Sequence, residues 1–528
     1  MKKLLFLFLF LSHAGWSQEV NRYMVFFTDK EESRYNLQNP EEFLTSRAIA
    51  RRSNQHISIT AQDLPVNEHY IQRVTDSGIA VYFRSRWMNA ILVEESPEKI
   101  KQLTGLPFID RVEYVAPGRR LGARKVNSQQ RKQDDLIPQH ELLGVSQMHE
   151  HGFTGKGKMI AVLDDGFRGV NQSPRFDHLY RNNQLPHSRD FVGNSADVYN
   201  YDDHGTKALS TIAVVDSGTF IGVAPEATFL LAVTEDVGSE YIIEEYNWLF
   251  GAEWADSLGA DIISSSLGYN TFNDPAMNHS LSDLDGKTTV AARAASWATQ
   301  KGMLVVVSAG NSRGSSWNKI STPADADQIL SVGAVNSMGE ITYFSSPGPS
   351  ADGRIKPDVV AMGQATTVVN ASGSYQRSNG TSFSGPQIAG LAAGIWQAFP
   401  HLTNLQLREV IIKSANLYAT PDNDYGYGVP NFNTVLELSA ALESEEIFIF
   451  PNPVHQYQHV LQINRKFPSL KPVQVKILDV TGRVVSQQQI RAVKSGSWEV
   501  DVFELPAGMY HLQVIYDKGH SMHKFLRL

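Results

Sequence analysis

Met159-Ile160-Ala161-Val162-Leu163 is an unbroken apolar run that stops at Asp164-Asp165-Gly166. A strand apolar on every residue has to be covered on both faces, the condition met by a parallel sheet with helices on either side. Runs at 229–233 and 303–307 repeat the pattern, and 329–335 follows it apart from Ser331 and Gly333. Helical periodicity separates them at 240–258 and 290–301 and returns at 405–415. This alternation predicts an α/β fold built on a parallel sheet. Open α/β sheets collect ligands at the C-terminal edge of their strands, so Asp164 stands where chemistry is expected.

Two other segments complete a set. Gly380-Thr381-Ser382-Phe383-Ser384-Gly385-Pro386 opens a helical pattern over 387–396. A serine at a helix start meets free backbone N–H groups and the positive end of the dipole, where an oxyanion is stabilised. His204-Gly205-Thr206 precedes an Ala/Leu/Ile-rich helical pattern at 208–215. A neutral imidazole there can take a serine proton while a carboxylate orients it. Each segment alone has a plainer reading: a helix cap, a surface histidine, a turn carboxylate.

Together, in the order Asp…His…Ser, the three resemble the catalytic motifs of the subtilisin-like serine proteases. Gly222-Val223-Ala224-Pro225, the stretch 259–268, Val307-Ser308-Ala309-Gly310-Asn311 and the Lys356-Pro357-Asp358 segment add to the likeness, which covers residues 140–440. The resemblance implies that Ser382 is the nucleophile, His204 the general base and acid, and Asp164 the group orienting the imidazole. It implies Asn311, with the Ser382 N–H, as the oxyanion hole. Ser266, Leu267 and Gly268, with Ser308, Ala309 and Gly310, become the walls of the first specificity pocket, binding an extended peptide. One position departs from the common pattern. Asp165 stands where most subtilisins have Ser or Thr; the kexin-like branch also has Asp-Asp-Gly, its second Asp facing a basic substrate side chain. The expectation is a Lys or Arg preference one residue upstream of the residue at the scissile bond; the alternative is a solvated turn carboxylate.

At 528 residues the chain is too long for one domain. Its net charge of −8 argues against nucleic acid as a main partner. No window reaches the ~20 apolar residues of a membrane span. Lys2-Lys3, an apolar run to Leu11 and small residues at Gly15 and Ser17 read as a signal peptide over 1–17. With no cysteine, an exported chain must rely on core size or bound ions. The resemblance requires no cofactor and allows calcium without assigning it; Asp325 and Asp327 beside Pro323 are suggestive only, and no metal ligand is named.

Residues 18–137 read as an α+β prosegment with a linker. Strands are expected at 23–27, 80–83, 88–93 and 112–115, and helices at 40–53 and 97–103. The alternation is similar to the inhibitory propeptide of subtilisins. The linker holds Arg119-Arg120, Arg124-Lys125 and Arg131-Lys132, candidate maturation cuts in an exposed basic stretch. The peptidase domain is placed at 138–442.

From 445 to 528 short alternating segments replace the helices, as in a small antiparallel β-sandwich. Phe450-Pro451-Asn452-Pro453, Asp479-Val480-Thr481-Gly482-Arg483 and Leu505-Pro506-Ala507-Gly508-Met509-Tyr510 resemble the type IX secretion sorting domain of Bacteroidetes. That implies the type IX export machinery as a partner, and a location outside the cell or on the outer-membrane surface of a Gram-negative bacterium. A carbohydrate- or protein-binding module competes, but Trp498 and Tyr510 sit on alternating strands that favour core burial. Two function classes stay open: a self-inhibited exported endopeptidase acting on polypeptides through an acyl-enzyme, and a surface protein using a silent copy of that fold for binding.

Overall fold

The computed structural model describes residues 19–31, 33–118, 139–216, 218–442, 447–465, 473–490, 497–516 and 519–528. The leader at 1–17 and the dibasic pairs of the linker lie outside the described residues. The chain divides into two compact units, with breaks at Asn36/Leu37, Thr60/Ala61 and Arg124/Lys125.

Through residue 118 the elements are β1 (Asn21–Phe27), α1 (Ser46–Asn54), α2 (Glu68–Asp76), β2 (Val81–Ser85), β3 (Ala90–Glu95), α3 (Pro97–Leu103) and β4 (Ile109–Pro117). All but α1 form the first unit, an antiparallel sheet in the order β2-β3-β1-β4. Its core joins Val25, Ile91 and Val93 of the sheet to Ile71, Val74 and Leu103 of the helices. Helix α2, absent from the sequence expectation, starts where the Asn67 side chain accepts from the His69 N–H at 2.8 Å. The single helix expected at 40–53 is two pieces, a 3-10 turn at Pro40–Glu42 and then α1. Thr45 is extended and its hydroxyl caps the Ala48 N–H, so the helix has to begin afresh there.

The second unit continues with α4 (Val145–Glu150), β5 (Met159–Asp164), α5 (Asp177–Arg181), β6 (His187–Asp190), α6 (His204–Ala213), β7 (Val215–Asp216), β8 (Phe220–Ile221) and β9 (Thr228–Val233). Then follow α7 (Ile243–Leu258), β10 (Ile262–Ser265), α8 (Val290–Gln300), β11 (Leu304–Ser308), β12 (Leu330–Val335), β13 (Val359–Met362), β14 (Thr366–Val369), β15 (Tyr375–Ser378), α9 (Thr381–Ala398), α10 (Asn404–Lys413) and α11 (Phe432–Leu442). Seven strands form a sheet in the order β13-β12-β11-β10-β5-β9-β6, parallel throughout. Val162, Phe229, Leu231, Ile262 and Val306 of the strands share one core with Ile212, Ile388 and Ala392 of the helices. Each such aliphatic side chain stabilises the fold by about 1.5–3 kcal/mol when fully buried.

The C-terminal segment holds β16 (Ile447–Phe450), β17 (Val460–Arg465), β18 (Val473–Leu478), β19 (Val484–Ile490), β20 (Ser497–Asp501), β21 (Gly508–Tyr516) and β22 (Gly519–Arg527). They pair as two antiparallel sheets, β16-β17-β20 and β19-β18-β21-β22. Trp498 and Tyr510 lie inside the core between Leu461, Ile463, Val475 and Leu512, and so belong to the packing rather than to an aromatic ligand patch. Among the described residues no helix is long and apolar enough to cross a membrane.

Candidate active site

The strand tips are level because the sheet is in parallel register. Leu163 of β5 pairs with Ser265 of β10, and Ser265 with Val307 of β11. Asp164, Ser266 and Ser308 therefore follow one another along the C-terminal edge. Asp164 is fully buried; its Oδ1 accepts from the Asp165 N–H at 2.9 Å and from His204 Nδ1 at 2.6 Å. His204 is the first residue of α6, one turn earlier than the expected helix at 208–215. The helix comes this close because Gly205 has no side chain. A Cβ there would stand 2.5 Å from the Gly166 carbonyl oxygen and 2.9 Å from both Asp164 Cβ and a Phe167 ring carbon.

The electrostatics favour an oriented imidazole. Burial acts to lower the His204 pKa, but the charge of Asp164 and its hydrogen bond outweigh it and raise the value to about 9. Accepting at Oδ1 fixes the proton on Nδ1 and leaves Nε2 with its lone pair when the ring is neutral. Asp165 behaves oppositely to a solvated carboxylate. Burial, and then the neighbouring Asp164 charge, push it up to about 7, and one of its oxygens has no hydrogen-bond partner.

Ser382 is the second residue of α9 and is 7% exposed. Its neighbour Phe383 packs against the His204 ring, centroids 5.7 Å apart. Two serine hydroxyls tie the helix start to the sheet edge: Ser266 Oγ donates to the Ser382 carbonyl at 3.0 Å, and Ser308 Oγ to the Thr381 carbonyl at 2.8 Å. Asn311 is held by its oxygen, which accepts from the Thr381 N–H at 2.9 Å and its hydroxyl at 3.1 Å. That fixes its amide group so that Nδ2 turns away from Thr381. Gly380, at φ +152°, opens the space next to it. A Cβ there would lie 3.6 Å from the Ser382 nitrogen and 3.7 Å from Asn311 Nδ2, so both donors border one small volume.

Ser266 and Leu267, each 9% exposed, continue from the tip of β10; Gly268 follows before Tyr269 pairs with Thr322. Ser308 ends β11 and Ala309 and Gly310 follow it, Ala309 hydrogen-bonding across to Val332 and Ser321. Sequence reasoning missed three more carboxylates past the tip of β9. Glu235, Glu240 and Glu244 bring oxygens within 4.8 Å of one another. Burial raises Glu235 to about 8, with Glu240, Asp165 and Asp164 adding to the rise, and burial beside Glu235 and Glu240 pushes Glu244 up to about 12. The rule that singled out Asp164, an acid at a parallel strand's C-terminal end, also fits Glu235. Asp325 is buried with one oxygen bound to the Gly286 N–H, whereas Asp327 Oδ1 accepts from the Gln328 N–H. Among the described residues the two join no cluster of three His, Asp or Glu side chains.

Residues 155–428 match the Peptidase S8, or subtilase, family; 22–134 match the Peptidase S8 propeptide domain of Bacteroidota; and 448–527 match a secretion system C-terminal sorting domain. The chain is 31% identical over 298 residues to subtilisin E of Bacillus subtilis, an overlap of 54% of this chain and 69% of the relative. Against the subtilisin of Bacillus pumilus the identity is also 31% over 298 residues, covering 54% and 96%. Among solved structures it is similar to MycP1 with its N-terminal propeptide removed, at 25% identity and a TM-score of 0.45 over 56% of this chain and 95% of the other. The chain thus belongs to the subtilase family. It is a subtilisin-like serine endopeptidase, carrying a propeptide domain and a C-terminal sorting domain that directs secretion or surface localisation.

Proposed function

We propose that the enzyme cleaves polypeptides through Asp164, His204 and Ser382 by way of an acyl-enzyme. Ser382 Oγ attacks the scissile carbonyl carbon while His204 Nε2 takes its proton. Asp164 keeps that proton acceptor in the right tautomer and stabilises the imidazolium. The carbonyl oxygen, now negative, takes hydrogen bonds from Asn311 Nδ2 and the Ser382 N–H. His204 passes the proton to the leaving amine as the C–N bond breaks. Water then opens the ester, its proton returning through His204 to Ser382. The observation that carries this reading is the 2.6 Å contact of His204 Nδ1 with the fully buried Asp164.

The extended substrate lies between 266–268 and 308–310. The residue next upstream meets the half-buried Asp165, whose unpaired oxygen a cationic side chain would satisfy, favouring the charged form of the carboxylate. The prosegment inhibits until it is released, and the sorting domain hands the chain to type IX export for release or retention at the outer-membrane surface. The test is fluorophosphonate labelling and proteolysis of a generic substrate by wild type and Ser382→Ala. Label and cleavage in the wild type, both lost in the variant, are expected. Absence of both from wild type with its prosegment removed would leave a binding protein with a silent fold. Subsite profiling adds the second arm: an Asp165→Ser enzyme with unchanged preference would remove the basic subsite.

A further inference from the structure

Residues 37–60 lie inside the propeptide match at 22–134, yet they pack with the catalytic unit. They meet it at the ends of two helices. Helix α7 runs to Leu258 with the left-handed Gly259 as its C-cap, and helix α8 to Gln300 with Lys301 as its C-cap; the last turn of α7 holds no basic residue. Asp256, fully buried in the last turn of α7, adds a carboxylate to an end that is already negative. Helix α1 brings positive charge to the α7 end. Arg51 and Arg52, 5% and 1% exposed, pair with the two oxygens of Asp256, the Arg52 contact at 2.9 Å. Arg51 also donates to the carbonyls of Ala260 and, at 3.1 Å, Lys301. On either side, the Thr45 N–H reaches the Ser257 carbonyl at 3.1 Å, Arg47 the Gly259 carbonyl at 2.9 Å, and Gln55 the Gly302 carbonyl at 2.8 Å.

The place of this contact decides what it can do. Arg47 also pairs with Asp261, and Asp261 accepts from the N–H of Met159 at 2.8 Å. Met159 is the first residue of β5 and Asp164 the last. Helix α1 therefore grips the N-terminal edge of the sheet, roughly 17 Å of strand away from the catalytic edge. A segment seated there cannot keep substrate out. It can hold the rest of the prosegment near by, since a tethered ligand rebinds at an effective concentration in the millimolar range.

We propose that Leu37–Thr60 is a second hold of the prosegment, separate from the substrate cleft, and that its Arg51/Arg52–Asp256 cluster sets how long the enzyme stays latent once the linker has been cut. The inference rests on the prosegment being an inhibitor. Its socket is a pair of helix C-termini with a buried carboxylate, and its partner is a short helix bearing adjacent arginines.

The experiment follows purified full-length chain through maturation, reading linker cleavage by gel and activity on a small chromogenic peptide. Wild type should show an interval between the two, with the cut prosegment co-eluting with the catalytic domain. In an Arg51→Gln/Arg52→Gln chain the mature enzyme is unchanged in sequence, so kcat/KM after release stays the same. The interval should shorten at least about tenfold, because removing the partners of a buried charge is strongly destabilising. An interval equal to that of wild type would overturn the second hold alone. A wild type active from the moment of cleavage would overturn the inhibitory reading as well. Should the double variant fail to fold, Arg47→Gln removes a half-exposed member of the same contact and should shorten the interval about threefold; no change there would equally overturn the proposal.

Discussion

Gly205→Ala tests whether close approach of helix and strand builds the catalytic pair. The added methyl would meet the Gly166 carbonyl oxygen at 2.5 Å and Asp164 Cβ at 2.9 Å. Neither neighbour is the far end of a flexible side chain, so α6 has to retreat by roughly 1 Å to restore ordinary contact. The His204–Asp164 bond, 2.6 Å now, would then lengthen beyond hydrogen-bond reach. A misplacement of that size costs about 10²-fold in rate. Overpacking should also cost about 1–3 kcal/mol of stability, a Tm loss of several degrees in a domain this large. The assay is kcat/KM on a chromogenic peptide with fluorophosphonate titration of active sites, beside a melting curve to show that the fold persists. A folded Gly205→Ala enzyme within threefold of wild type would refute the argument, because the pair would then tolerate the displacement.

Asn311→Ala should lower kcat by about 10²–10³ with little change in KM, since its donor is engaged most strongly by the developing oxyanion; steady-state kinetics on the matured enzyme decide it. His204 must lose its proton to act as base, so kcat/KM should rise with pH towards about 9, and Asp165→Asn, by removing a negative neighbour, should move that limb to lower pH. Glu244 is raised to about 12 when folded, against an ordinary value near 4.5. The folded chain thus retains a proton that the unfolded chain gives up, and this contribution is complete below pH ~4.5 and is lost as the pH rises. Glu244→Gln imitates the protonated acid, so melting curves at pH 5 and pH 8 should show less loss of Tm with pH than wild type.

The parallel sheet was legible because strands buried on both faces carry long apolar runs, as in β5, β9 and β11. The positions of Asp164 at a strand tip and of His204 and Ser382 at helix starts were legible, because the first ends an apolar run and the other two each precede a helical pattern. Helix α2 was hidden because its start depends on the Asn67 side chain rather than on a long apolar period. The division of 40–53 into two pieces turned on Thr45, whose hydroxyl competes with the helix for an amide. The acids at 235, 240 and 244 are scattered in sequence, and only the turn between β9 and α7 gathers them. The docking of α1 was beyond sequence reasoning for a related reason: Arg51 and Asp256 are 205 residues apart, and an exposed basic helix has the same local pattern as a buried one.

With the proposed second hold, the separation of α1 from the catalytic edge by the length of β5 would make dormancy and turnover independently adjustable traits. On the proposed second hold, replacements of Arg51 and Arg52 lengthen or shorten the delay before a secreted molecule begins to work without altering how it works. Replacements around His204 and Asn311 do the reverse. A lineage facing a new habitat could therefore reset when digestion starts, relative to export, by mutating residues that the finished enzyme has already discarded.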